Sequence, residues 1–149
     1  MHLIRVFNVK GVYLSSDRKG AAICYRYNFK KEGFQDYLYQ FRLVVNAIGL
    51  TRVFEILRRE GYIKSKRPKD GNFLYFWFFG VADDARGSRS AFQLKDEIFK
   101  QATEKGLSIY LETSVEKNKR VYERFGFEVY HIWEKEPETP LYFMRKQVD

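Results

Sequence analysis

The chain has 149 residues, 45% apolar and 18% aromatic, which suits one domain with a real core and excludes a disordered chain. Its single cysteine, Cys24, excludes an intrachain disulfide. No Cys/His cluster has zinc spacing, and His2 and His131 stand far apart without a motif, so no metal site is expected. The net charge of +8 is uneven, with +9 in residues 1–71 and −1 in residues 72–149.

That basic half could attract an anionic partner such as nucleic acid. No base-reading motif accompanies it, so a solvated basic surface is the favoured reading and nucleic acid is not. The N-terminus lacks the long apolar segment of a signal peptide, and the longest apolar run is about half a membrane span. A soluble, cytoplasmic protein in a reducing setting, with no membrane partner, is the expectation.

Residues 3–9 and 12–15 have strand-like content. Asp17-Arg18-Lys19-Gly20 signals a turn, with Gly20 the residue suited to positive φ, and residues 21–27 return as the second strand of a hairpin. Phe34, Leu38, Phe41, Val45 and Ile48 step at helical spacing, and Gly49 ends that helix. The aromatic residues Phe34, Tyr37, Tyr39 and Phe41 read as core, with an interface, including one between two copies, as the alternative. Thr51 caps a second helix that Gly61 ends, and residues 63–71 read as a basic loop.

Residues 73–81, FLYFWFFGV, show no polar/apolar alternation, which predicts a central strand buried on both faces. A loop and a helix from about Ser88 to Lys105 follow, with Ala91, Leu94, Ile98 and Ala102 on one face and Gly106 as the stop. Residues 107–112, LSIYLE, are the next strand. Strand, helix and strand within about forty residues form a βαβ unit, so the two strands should be parallel. A short helix at 116–125 and strands at 127–133 and 141–145 complete a single domain of 1–149, with a two-helix segment at about 34–61.

The loop after the central strand has the chemistry of an anion site. Helix-start N–H groups lack intrahelical partners, Gly87 removes a Cβ, Ser88 and Ser90 carry hydroxyls, and Arg86 and Arg89 bring positive charge. The alternative is a βα turn with solvated arginines.

Two segments, YFWFFGVADDARGSRSA and YLETSVEKNKRVYERFGFEVY, together resemble the GNAT superfamily of acetyl-CoA-dependent N-acetyltransferases. The first resembles the family's central strand and its Q/R-x-x-G-x-G/A pyrophosphate loop; the second resembles its next strand and short helix, with Asn, Tyr and Gly-Phe. The resemblance covers residues 73–146. It implies an α/β (α+β) fold: a mixed, mostly antiparallel central sheet with a parallel pair at its centre and helices on both faces. It further implies that these two strands splay to admit the cofactor's pantetheine arm. Backbone groups of Phe79, Gly80 and Val81 would pair with that arm, and Arg86, Gly87, Ser88, Arg89, Ser90 and Ala91 would cradle the pyrophosphate.

The same resemblance implies that Tyr122 lies near the cofactor sulfur as general acid, with a core tyrosine as the alternative, and that Asn118 touches the cofactor, with a polar surface residue as the alternative. Glu112, ending its strand at the splay, is the candidate general base; a carboxylate capping the next helix is the other reading. Two departures stand out. Arg89 occupies the loop's fourth position, where the family has glycine, and acetyl-CoA binding is expected to survive in weakened form. The chain also starts near the family's second strand, with its two helices placed after the hairpin. The expected activity is direct acetyl transfer from acetyl-CoA to an amine acceptor. The rival is a GNAT-like module of impaired activity that binds an anionic partner.

Overall fold

The computed structural model describes residues 4–7, 11–27, 50–135 and 139–148. The expected helix at 34–48, with its aromatic face, lies outside them. The chain divides into two compact units, Met1–Tyr27 with Asn72–Asp149, and Asn28–Gly71.

Within the second unit, helix α1 runs over Leu50–Lys66. It continues through Gly61, where the reading above ended it. Gly61 keeps a helical backbone and a Cβ there would meet open space, so it lowers helix propensity without forcing a stop. The stop comes at Arg67-Pro68, because a residue before proline is driven out of the α region. Lys64 and Lys66 in the last turn complement the helix dipole.

The first unit holds seven described strands: β1 Ile4–Phe7, β2 Val12–Leu14, β3 Gly20–Arg26, β4 Leu74–Val81, β5 Ile109–Thr113, β6 Glu128–Trp133 and β7 Leu141–Lys146. Their order is β1-β2-β3-β4-β5-β7-β6. Every neighbouring pair is antiparallel except β4 and β5, the parallel pair at the centre. The fold is therefore the mixed, mostly antiparallel sheet that the family resemblance implies, and its parallel pair is the one expected of the strand–helix–strand pattern. A 3-10 turn at Asp83–Ala85 and helix α2 at Ser90–Lys105 connect that pair, and helix α3 spans Glu116–Arg124.

Leu94, Ile98 and Ala102, spaced four apart on α2, are buried against Ala22 and Cys24 of β3, Leu74 and Phe76 of β4, and Ile109 and Leu111 of β5. Gly106 ends α2 in the left-handed conformation, φ 60°, with its N–H bonded back to Ala102 and Thr103 carbonyls. Ile98 is fully buried. Ile98→Ala is expected to cost about 2–5 kcal/mol of unfolding free energy, read from the midpoint in a urea titration.

The central strand is not buried along its whole length. Trp77 is 62% and Phe78 49% exposed. The register with β3 pairs Cys24 with Phe76 but Ile23 with Phe78, so Trp77 is one extra residue, a β-bulge. The bulge shifts the alternation: Leu74 and Phe76 face the helices, and Phe79, three residues on, packs with them again. A run without period two thus arises from a bulge as well as from burial, and composition cannot separate the two.

In the β2–β3 turn the left-handed residue is Arg18, φ 58°, and not Gly20. Gly20 is needed for space instead. A Cβ there would lie 2.9 Å from Leu94 Cδ1 and 3.2 Å from Ser15 Oγ.

Candidate active site

The β4–β5 ladder contains only two register pairs among the described residues, Leu74 with Ile109 and Tyr75 with Tyr110. From Phe76 onward the strands separate. Phe79, Gly80 and Val81 keep their pairing with Ala22, Ala21 and Gly20 of β3, so the edge of β4 that faces β5 carries backbone groups without a ladder partner. An amide-bearing chain entering there can bond to that edge as a strand would.

Residues 82–93 join this opening to α2. Arg86 and Ser88 N–H groups donate to Asp83 and Ala85 carbonyls, and the first helical bond runs from Gln93 N–H to Arg89 O. Among the described residues, the N–H groups of Gly87, Arg89, Ala91 and Phe92 have no backbone partner. Gly87 adopts φ 82° and a Cβ there would meet no atom within 4 Å. No acidic residue occupies the first turn of α2. Unbonded amides around a left-handed glycine at a helix start form an anion cradle.

Arg89 has φ −69° and ψ −10°, ordinary right-handed values. The position held by glycine in the family loop makes no conformational demand that arginine fails to meet. Arg89 is exposed, and Arg86 is paired with Asp83 at 2.6 Å.

The serines are arranged differently from a pair of phosphate donors. Ser90 is buried and its hydroxyl donates to Asp17 Oδ2 at 2.6 Å. A hydroxyl has one hydrogen, so the 2.9 Å contact between Ser88 Oγ and Ser90 Oγ must be donated by Ser88. Ser90 N–H returns a bond to Ser88 Oγ at 3.3 Å. Both hydroxyl hydrogens are thus directed inward. Asp17, which the sequence reading treated only as a turn residue, also accepts from Ser15 Oγ at 2.5 Å and Lys19 N–H at 3.0 Å. These bonds, the Ser15 and Ser90 hydroxyls first, hold its carboxyl down at about 2.

On the helix side of the opening, the Tyr122 ring stands edge-on to Phe76 at 6.0 Å and to Phe127 at 5.7 Å. Burial raises its phenol above the ordinary tyrosine value. Asn118 lies one turn earlier on the same face of α3 and is exposed. Phe125 contacts Phe79 at 6.5 Å and Phe92 at 6.2 Å, linking the end of α3 to β4 and to the loop. Glu112 alternates with the core residue Leu111 and so points to the opposite face of the sheet, where Tyr75 donates to it at 2.8 Å. The two candidate catalytic side chains therefore flank the opening from opposite faces. Cys24 is buried and its thiol is pushed up to about 12 by desolvation, which excludes it as a nucleophile. Among the described residues no group of three His, Cys, Asp or Glu is placed to hold a metal ion, and no helix is long and apolar enough to cross a membrane.

The model of the acetyltransferase (GNAT) family matches residues 23–127, well over half the chain. The chain belongs to the GNAT acetyltransferase family. Solved structures agree at the level of fold. Arylalkylamine N-acetyltransferase 2 from Aedes aegypti is 16% identical, covered over 95% of this chain and 74% of its own, with a TM-score of 0.61. The histone acetyltransferase HPA2 and related acetyltransferase from Corynebacterium glutamicum is 17% identical, over 97% and 68%, with a TM-score of 0.58. The C-terminal condensation domain of Ebony, in complex with β-alanyl-dopamine, is 14% identical, over 93% and 72%, with a TM-score of 0.57. No curated protein sequence matches. In this GNAT chain β1, β2 and β3 all precede the Asn28–Gly71 unit in sequence.

Proposed function

We propose that this GNAT protein is an N-acetyltransferase that moves an acetyl group from acetyl-CoA directly to an amine. The observation that carries the reading is the early end of the β4–β5 ladder beside a cradle of unbonded N–H groups. Acetyl-CoA supplies the activated thioester. On this reading the β4 edge at Phe79, Gly80 and Val81 bonds to the pantetheine arm and polarises the acetyl carbonyl. The diphosphate rests on the main chain of residues 86–91, with Arg86 and Arg89 supplying charge and Ser88 and Ser90 shaping the loop. Asn118 contacts the arm from α3.

Glu112 and Tyr122 divide the proton work. Glu112, directly or through a water, accepts the proton of the attacking amine on one face of the sheet. Tyr122 gives its phenolic proton to the departing thiolate on the other. Attack and departure on opposite sides of one carbonyl suit groups that flank the opening in this way. The buried Cys24 supports direct transfer over a cysteine-bound acetyl intermediate. One unpaired cysteine also suits a reducing, cytoplasmic setting. The reading commits to an amine acceptor and to no narrower class.

A calorimetric titration with acetyl-CoA tests it. Saturable binding below about 1 mM is expected, with Arg89→Ala weakening it about fivefold. No saturation by that concentration would reject the cofactor assignment. Release of free thiol on addition of an amine panel then reads turnover.

A further inference from the structure

The β2–β3 turn grips the candidate cofactor loop at four points. Ala82 N–H donates to Lys19 O at 2.7 Å. Lys19 Nζ pairs with Asp84 Oδ2 at 2.6 Å. Ser90 Oγ donates to Asp17 Oδ2 at 2.6 Å, and Ser16 Oγ to Gln93 Oε1 at 3.3 Å. These contacts bracket the cradle from its start at Ala82 to the first helical bond at Gln93. The central one runs from a carboxylate to the buried hydroxyl of Ser90 at the helix start.

The turn that presents Asp17 is itself held in an unfavourable shape. Arg18 sits in the left-handed region, φ 58°, which non-glycine residues disfavour because Cβ crowds the carbonyl oxygen. Arg18 N–H bonds to Ser15 O at 2.9 Å, and Gly20 N–H bonds to Ser15 Oγ at 2.8 Å. Ser15 Oγ in turn donates to Asp17 Oδ1. Ser15 is completely buried. Both oxygens of Asp17 are therefore used: one closes its own turn, the other holds Ser90 and, through it, Ser88.

We infer that Asp17 is a positioning residue for the diphosphate site. Its carboxylate fixes Ser90 and Ser88 so that the N–H groups of Gly87, Arg89 and Ala91 stay turned outward toward the anion. This inference rests on the acetyl-CoA reading above. A negative charge near an anion cradle would ordinarily oppose binding. Here Asp17 is exposed, so solvent screens its charge, while its oxygens accept from the Ser15 and Ser90 hydroxyls and the Lys19 N–H. Asp17 touches no reacting atom, so its effect belongs to affinity and not to the chemical step.

The test compares two acetyl donors, acetyl-CoA and S-acetyl-pantetheine, which lacks the diphosphate. An amide can accept from Ser15 or from Ser90 but not from both as a carboxylate does. Asp17→Asn is expected to lower kcat/KM for acetyl-CoA about tenfold, through KM, with kcat within about twofold. With S-acetyl-pantetheine it should leave kcat/KM within about twofold. Asp17→Glu, which keeps the charge, should recover part of the loss. An equal fall with both donors would mean general damage to the fold and would overturn the inference; so would no fall with either. If the wild-type protein binds no acetyl-CoA, the cofactor reading itself fails, which the wild-type titration separates from a failure of Asp17 alone.

Discussion

Tyr122→Phe is expected to lower kcat about a hundredfold while leaving the KM for acetyl-CoA within about twofold. The phenol has no hydrogen-bond partner among the described residues, so its removal leaves no buried group unsatisfied and the thermal midpoint should barely move. The ring contacts with Phe76 and Phe127 survive in phenylalanine. What is lost is the proton for the departing thiolate. The pH profile carries a second signature. Activity should rise with pH as the acceptor amine becomes neutral. Because burial raises the phenol above its usual value, Tyr122 keeps its proton through that rise, and the descending limb should lie above about pH 10. In Tyr122→Phe the rising limb should remain and the descending limb should vanish. A kcat within twofold of wild type would remove Tyr122 from the mechanism and leave it as a core tyrosine.

The elements that the sequence made legible were those with a local cause. Leu94, Ile98 and Ala102 repeat at helical spacing and do pack as one buried face. Gly106 and Gly126 sit past helix ends and both take positive φ. The loop glycine, Gly87, does the same at the place where the family resemblance put the cofactor phosphates. Features that depend on a second strand were not legible. The Trp77 bulge is a relation between β4 and β3, and the same nine apolar letters fit a regular buried strand equally well. Asp17 and Ser90 are 73 positions apart, and only the β3–β4 pairing brings the hairpin turn against the start of α2. The sequence placed two serines and two arginines in the loop but not the direction of their hydrogens. That direction was set by a carboxylate from elsewhere in the chain. Gly61 misled for a related reason: glycine permits a helix end, and it was the Arg67-Pro68 step that imposed one.

Gly87→Ala and Gly106→Ala form a matched pair with different expected outcomes. Both glycines lie in the left-handed region, at φ 82° and 60°, and a Cβ at either would meet no atom within 4 Å. Each substitution therefore carries a similar backbone cost of about 1 kcal/mol and no packing clash. Each should lower the thermal midpoint by about 2–4 °C. They differ in what the added methyl faces. Gly106 follows the last residue of α2, a helix of 16 residues, so it stands roughly 24 Å from the loop. Gly87 stands inside the cradle, where open space in the free protein is the room a phosphate would fill. Gly87→Ala is expected to reduce kcat/KM for acetyl-CoA about a hundredfold, almost entirely through KM, while Gly106→Ala leaves it within about twofold. Equal kinetic effects would make Gly87 a turn residue only. A loss confined to Gly87→Ala, at a similar fall in thermal midpoint, cannot come from a general loss of stability and so would place the effect at the loop itself.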